Sequence, residues 1–134
     1  MARRPSPHPT DGELEILQVL WDQGPSNLGT ICDTIRRRRQ VATTTVATML
    51  KLMLQKQLVE RSPGQRGYIW SAAVSRQTAA SELISKVLNR VFDGSAQRLV
   101  SHLVEMGQLD SDELDDLREL LASDKAAKTP RKKR

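Results

Sequence analysis

The residue types that could do chemistry in this chain are concentrated in one stretch, Arg36 to Gln55, which reads RRRRQVATTTVATMLKLMLQ. Val46, Met49, Leu50, Met53 and Leu54 recur at i, i+3, i+4, i+7 and i+8, so the spacing predicts a helix with one buried face. Thr44, Ala47, Thr48, Lys51 and Gln55 form the opposite face. Hydroxyls that donate and accept, methyls that can meet thymine and an amine for guanine or phosphate suit a helix that enters the roughly 12 Å major groove of DNA. Thr43, Thr44 and Thr45 are expected to cap the helix start, turning its free N–H groups and the positive end of its dipole toward a phosphate. A plain surface helix has the same periodicity; the flanking segments decide for a recognition helix.

Other chemistry is poorly supported. His8 falls in a Pro-rich arm and His102 on an apolar-striped helix, with no Ser, Cys or carboxylate arrangement around either to build a nucleophile or a metal site. Cys32 is the single cysteine, which excludes an intrachain disulfide or a thiolate cluster, and the neighbouring Asp33 opposes thiolate formation. Cys32 therefore reads as a small core residue. No catalytic residue, metal or cofactor is expected.

The elements that must position the Arg36–Gln55 stretch follow from local signals. Residues 1–9 read as a flexible basic arm. Thr10 and Glu13 have capping-box spacing ahead of Leu14, Leu17, Leu20 and Trp21, the apolar stripe of a first helix that Gly24-Pro25 ends. Ser26 or Asn27 opens a second helix with Leu28, Ile31, Cys32 and Ile35 inward. The arginine run then forms the turn, and its place before the polar-faced helix assigns Arg38 and Arg39 to phosphate rather than to a merely solvated surface. Residues 58–62 and 68–72 read as two strands joined by Pro63-Gly64-Gln65-Arg66-Gly67, with Arg66 at the tip and Tyr68 and Trp70 on one face. Three helices and a basic-tipped hairpin, in that order, predict a winged helix-turn-helix over residues 10–74.

Residues 75–122 read as three further helices. Ser75 caps the first, with Leu83, Ile84, Val87, Leu88 and Val91, ending at Asp93-Gly94. Ser95 opens the second, with Leu99, Val100, Leu103 and Val104. Asp110 and Glu113 cap the third, with Leu114, Leu117, Leu120 and Leu121. So thin an appendage cannot bury these side chains alone. A dimerisation region is the expectation, with Leu99, Leu103, Leu114, Leu117 and Leu121 as its contacts; a bundle folded onto the front domain is the alternative. Residues 123–134 read as a disordered basic tail. The expected fold class is mainly α with a small β-hairpin wing.

Charge divides the same way. Residues 1–74 carry ten Lys/Arg against six Asp/Glu, residues 75–124 five against ten, and the last ten residues six basic side chains and no acidic one. A polyanion-binding front and a back half with another task follow. No apolar run approaches the roughly 20 residues of a membrane span, and MARRPSPHP has no signal-peptide core, so a cytoplasmic protein is expected.

From about Leu14 to Leu121 the chain resembles the penicillinase and methicillin-resistance repressors of the BlaI and MecI type, with copper-responsive repressors as relatives. ELEILQVLW, TTVATMLKLMLQKQLVER, GYIW and LVSHLVEMGQLDSDELDDLRELL carry the resemblance, and the last is absent from generic winged helices. It implies a dimeric bacterial repressor that binds a palindromic double-stranded DNA operator through the winged helix and dimerises through its C-terminal helices. The copper branch carries a C-terminal cysteine cluster that this chain lacks. Antibiotic-responsive members are released by a regulatory protease that cuts an Asn-Phe bond; at that position this chain reads His102-Leu103. A winged-helix small-molecule sensor and a protein-interaction module are the alternative functions.

Overall fold

The computed structural model describes residues 8–127 and has the element order α1 (Asp11–Gln23), β1 (Ser26–Asn27), α2 (Leu28–Arg36), α3 (Thr43–Gln55), β2 (Val59–Gly64), β3 (Gly67–Ala72), α4 (Arg76–Val91), α5 (Ala96–Glu105) and α6 (Ser111–Ala127). It divides into two compact units, one ending at Ser85 and one beginning at Lys86.

In the first unit the helix boundaries follow the local chemistry. Thr10 Oγ1 accepts from the Glu13 N–H at 3.2 Å while Glu13 Oε1 accepts from the Thr10 N–H at 3.0 Å, a reciprocal capping box that satisfies two donors at the start of α1. Gly24, at φ 82°, ends the helix, and its N–H donates to the Leu20 carbonyl. Asn27 caps α2 by accepting from the Thr30 N–H at 2.8 Å. Ser26 instead lies in β1, a two-residue strand that sequence periodicity could not register. It pairs antiparallel with β3, Ser26 opposite Trp70 and Asn27 opposite Ile69, giving the sheet order β1-β3-β2. The hairpin register runs from Val59 opposite Ala72 to Gly64 opposite Gly67, so the turn proper is Gln65-Arg66, and Gly67 at φ 92° supplies the left-handed residue that returns the chain to the strand.

The core of this unit joins α1, α2 and α3 to the inner face of the sheet through Leu17, Ile31, Leu50, Met53, Val59 and Trp70. Ile16 and Val19 are also buried, whereas Leu14 and Trp21 are only half-buried, so the inward face of α1 is wider than the expected stripe. Pro9, placed in the arm by sequence, is buried, and residues 1–7 lie outside the described part. Trp21 Nε1 donates to the Val74 carbonyl at 2.9 Å. Beside it Arg76 pairs with Asp22 at 2.7 Å and lies 5.4 Å from the centre of the Trp21 ring, so the start of α4 is fastened to α1. Ser75 Oγ accepts from the Thr78 N–H as the cap of α4.

In the second unit Ser95 caps α5, and Asp110 and Glu113 form a second reciprocal capping box ahead of α6. Asp93 and Gly94, both at positive φ, make the turn after α4. Helix α6 runs to Ala127, so the expected disordered tail is helical over 123–127; residues 128–134 lie outside the described part. Leu99, Leu103 and Leu114 are half-buried, and α5 contains no buried residue at all.

Candidate nucleic-acid interface

Helix α3 buries Val46, Leu50 and Met53 and turns Thr44, Thr48, Lys51 and Gln55 to the outside, as its periodicity requires. Two details differ from the expected face. Ala47 is half-buried, while Leu52, one turn beyond Thr48, is 44% exposed and shares the outer strip. An exposed leucine between hydroxyls and amines is an apolar contact suited to a thymine methyl.

The three threonines do not cap the helix. Ala42 is the N-cap and makes no side-chain cap bond; its carbonyl accepts from the Thr45 and Val46 N–H groups at 3.1 and 3.2 Å. Thr43, Thr44 and Thr45 occupy the exposed first turn instead, where the leading N–H groups lie at the open end of the helix. Arg36 organises this entry: Nη2 donates to Thr43 Oγ1 at 2.7 Å and Nε to the Val41 carbonyl at 3.0 Å. The last residue of α2 thereby fixes the path into α3.

The remaining arginines separate. Arg37 and Arg38 are exposed and make no ion pair among the described residues. Arg39 reaches across to α1, where Nη2 and Nε donate to Glu15 Oε1 at 2.7 and 3.1 Å. The Glu15 hydrogen bond, then its charge, holds the Arg39 guanidinium above its ordinary range. Arg38 is the member of the expected pair left open to a phosphate, while Arg39 must exchange one anion for another.

On the wing, Arg66 is exposed at the hairpin tip. Tyr68 and Trp70 share a face, their rings edge to face at 6.0 Å. Arg61, opposite Trp70 on β2, lays its guanidinium 4.0 Å from the centre of the Tyr68 ring. A cleft of about 430 Å³ opens between α3 and the wing, lined among others by Lys51, Arg61, Arg66 and Tyr68. The structure thus brings Lys51 and Arg66 to one place and adds Arg61, which pairing the two predicted strands in register would have put beside the aromatic rings.

A buried ion pair joins residues too far apart in the chain for local sequence signals to connect. Lys56, at the end of α3, donates to Glu13 Oε1 at 2.7 Å, with both side chains almost wholly enclosed. Among the described residues no group of His, Cys, Asp and Glu could hold a metal, and no helix is long and apolar enough to cross a membrane.

Known proteins resemble this chain over most of its length. The transcriptional regulator BlaI of Mycobacterium tuberculosis is 30% identical over 115 residues, covering 83% of this chain and 82% of that protein. The penicillinase repressor of Bacillus licheniformis is 22% identical over 122 residues, covering 91% and 95% respectively. Among solved structures, the oxidized form of MarR from E. coli superposes with a TM-score of 0.48 at 18% identity, covering 86% of this chain and 74% of that one. The Penicillinase repressor family model matches residues 9–123, four-fifths and more of the sequence and both of its units. The chain belongs to the Penicillinase repressor family.

Proposed function

We propose that this protein is a cytoplasmic transcriptional repressor that binds a palindromic DNA operator as a homodimer. The observation that carries the reading is the outer strip of α3: Thr44, Thr48, Lys51, Leu52 and Gln55 are all exposed on a helix whose other face is locked into the core. Exposed Arg38 on the preceding turn and Arg66 on the wing flank that strip as phosphate contacts, fixing the register in which the threonines meet base edges. One such helix spans only a few base pairs, so two copies spaced by about one helical turn are needed for a specific site.

The second copy is supported by α5 and α6, where Val100, Val104, Leu117, Leu120 and Leu121 stand 39–64% exposed. Apolar surface of this extent on amphipathic helices is what a symmetric partner buries. Leu99, Leu103, Leu114, Leu117 and Leu121 supply the seam. Release from the operator follows either from scission of α5 at His102-Leu103 by a regulatory protease or from another signal.

Footprinting of the purified protein on the DNA upstream of its own gene tests the reading. Protection of a palindrome with half-sites about one turn, or a multiple, apart is expected. Binding that shows no preference for any sequence over random duplex would overturn it.

A further inference from the structure

We infer that the cleft between α3 and the wing is a seat for the sugar–phosphate backbone, with Arg61 as its phosphate ligand and Tyr68 as the residue that positions Arg61. The inference rests on the DNA-binding reading above and assigns a contact outside the recognition strip, the arginine turn and the hairpin tip.

Charge selects the occupant. Lys51 from α3, Arg61 from β2 and Arg66 from the hairpin turn converge on the cleft, and no carboxylate is among its lining residues. Arg61 has no ion pair among the described residues, unlike Arg36, Arg39 and Arg76, whose guanidinium groups are taken up by Asp33, Glu15 and Asp22. The start of α2 opens on the same cleft through Asn27, Leu28 and Gly29, which adds the positive end of a helix dipole. Between these charges the wall is apolar, formed by Ala47, Leu50 and Trp70. Alternating cations and apolar wall match a strand of DNA, in which charged phosphates alternate with deoxyribose rings that have apolar faces.

Tyr68 gives Arg61 its particular value. A surface arginine ordinarily gives up side-chain freedom when it grips a phosphate. Here the guanidinium already lies 4.0 Å from the Tyr68 ring centre and 5.6 Å from that of Trp70. Stacking leaves the N–H groups at the guanidinium edge free to donate to phosphate oxygens in two-pronged fashion. Tyr68 itself is 46% exposed, more than a ring kept only for packing requires.

The test is titration of the full-length protein with a random-sequence duplex across a salt series, because a backbone contact is indifferent to sequence. Arg61→Ala should weaken binding by about tenfold per protomer. It should also flatten the plot of log affinity against log salt by about 0.9 per protomer, near two for a dimer. Arg61→Gln, which keeps the stem that covers the rings, should do the same. Tyr68→Ala should weaken binding several-fold with the salt slope retained, since the charge is still present; Tyr68→Phe should bind like the unmodified chain; and Tyr68→Ala should add nothing to Arg61→Ala. A folded Arg61→Gln protein with unchanged affinity and slope overturns the inference while leaving the repressor reading intact, and is the result expected if the cleft serves a small anionic ligand instead. Failure of the unmodified chain to bind any duplex at low salt would overturn both.

Discussion

Glu13 and Lys56 form a buried ion pair, 2.7 Å from carboxylate to amine, that ties the first turn of α1 to the last turn of the helix carrying the candidate reading surface. Glu13 also closes the capping box with Thr10, and Lys56 donates further to the His8 carbonyl at 3.4 Å. Removing one partner strands the other charge in the interior. Lys56→Met should therefore cost about 3–5 kcal/mol of stability, and the double variant Glu13→Gln with Lys56→Met should recover a large part of it. Chemical denaturation of the three proteins measures this; equal stability of Lys56→Met and the unmodified chain would show that the pair holds nothing.

Thr48 stands at the centre of the outer strip of α3. Replacing it by alanine removes a hydroxyl and leaves the buried face untouched, so the protein should fold normally and relax its preference at one base pair of each half-site, a loss of about 1–3 kcal/mol in discrimination. Binding to a set of single-base operator variants reads this out. Unchanged preference at every position would remove Thr48 from the reading set.

Truncation after Gly94 deletes α5 and α6 but retains the core of α1, α2, α3 and the sheet. The product should be a folded monomer whose operator affinity falls roughly hundredfold or more, because two half-sites are then no longer bound through one linked molecule. Sedimentation together with a gel shift decides. A dimer that binds as tightly as the full chain would show that α5 and α6 do not form the seam.

His102 and Leu103 lie within α5, and the His102 carbonyl accepts from the Met106 N–H at 2.9 Å. A protease must open this turn before it can seat the peptide, and one selecting Asn-Phe would then meet an imidazole and an aliphatic chain. Incubation with the protease of the antibiotic-responsive relatives should leave the chain intact. Efficient scission between His102 and Leu103, identified by fragment sequencing, would contradict this.

The sequence was most legible where signals are local. Thr10 with Glu13, Asn27, Ser75, Ser95 and Asp110 with Glu113 all cap the helices they precede, because a cap and its N–H lie three residues apart. The outer face of α3 was readable for the same reason, through helical period. What escaped depends on distance along the chain: Lys56 finds Glu13 across 43 positions, and Arg39 finds Glu15 across 24, so the two arginines expected at phosphate, Arg38 and Arg39, are set apart by a neighbour no periodicity announces. Strand β1 has only two residues and is defined by its partner, β3. Threonine favours the cap role by type, but the turn braced by Arg36 delivers Ala42, and not Thr43, Thr44 or Thr45, to the N-cap position.

Helix α5 buries none of its ten residues. A segment that short has too few turns to persist in water on its own propensity. A surface that covered its apolar stripe would therefore supply much of what keeps it helical, and if that surface belongs to a second copy, the integrity of the C-terminal half becomes a function of how much protein is present. Under dilution the chain would expose α5 to general cellular proteolysis while its winged half stayed folded. Turnover would then rise as abundance falls, sharpening the boundary between an occupied and a vacant operator without any dedicated sensor.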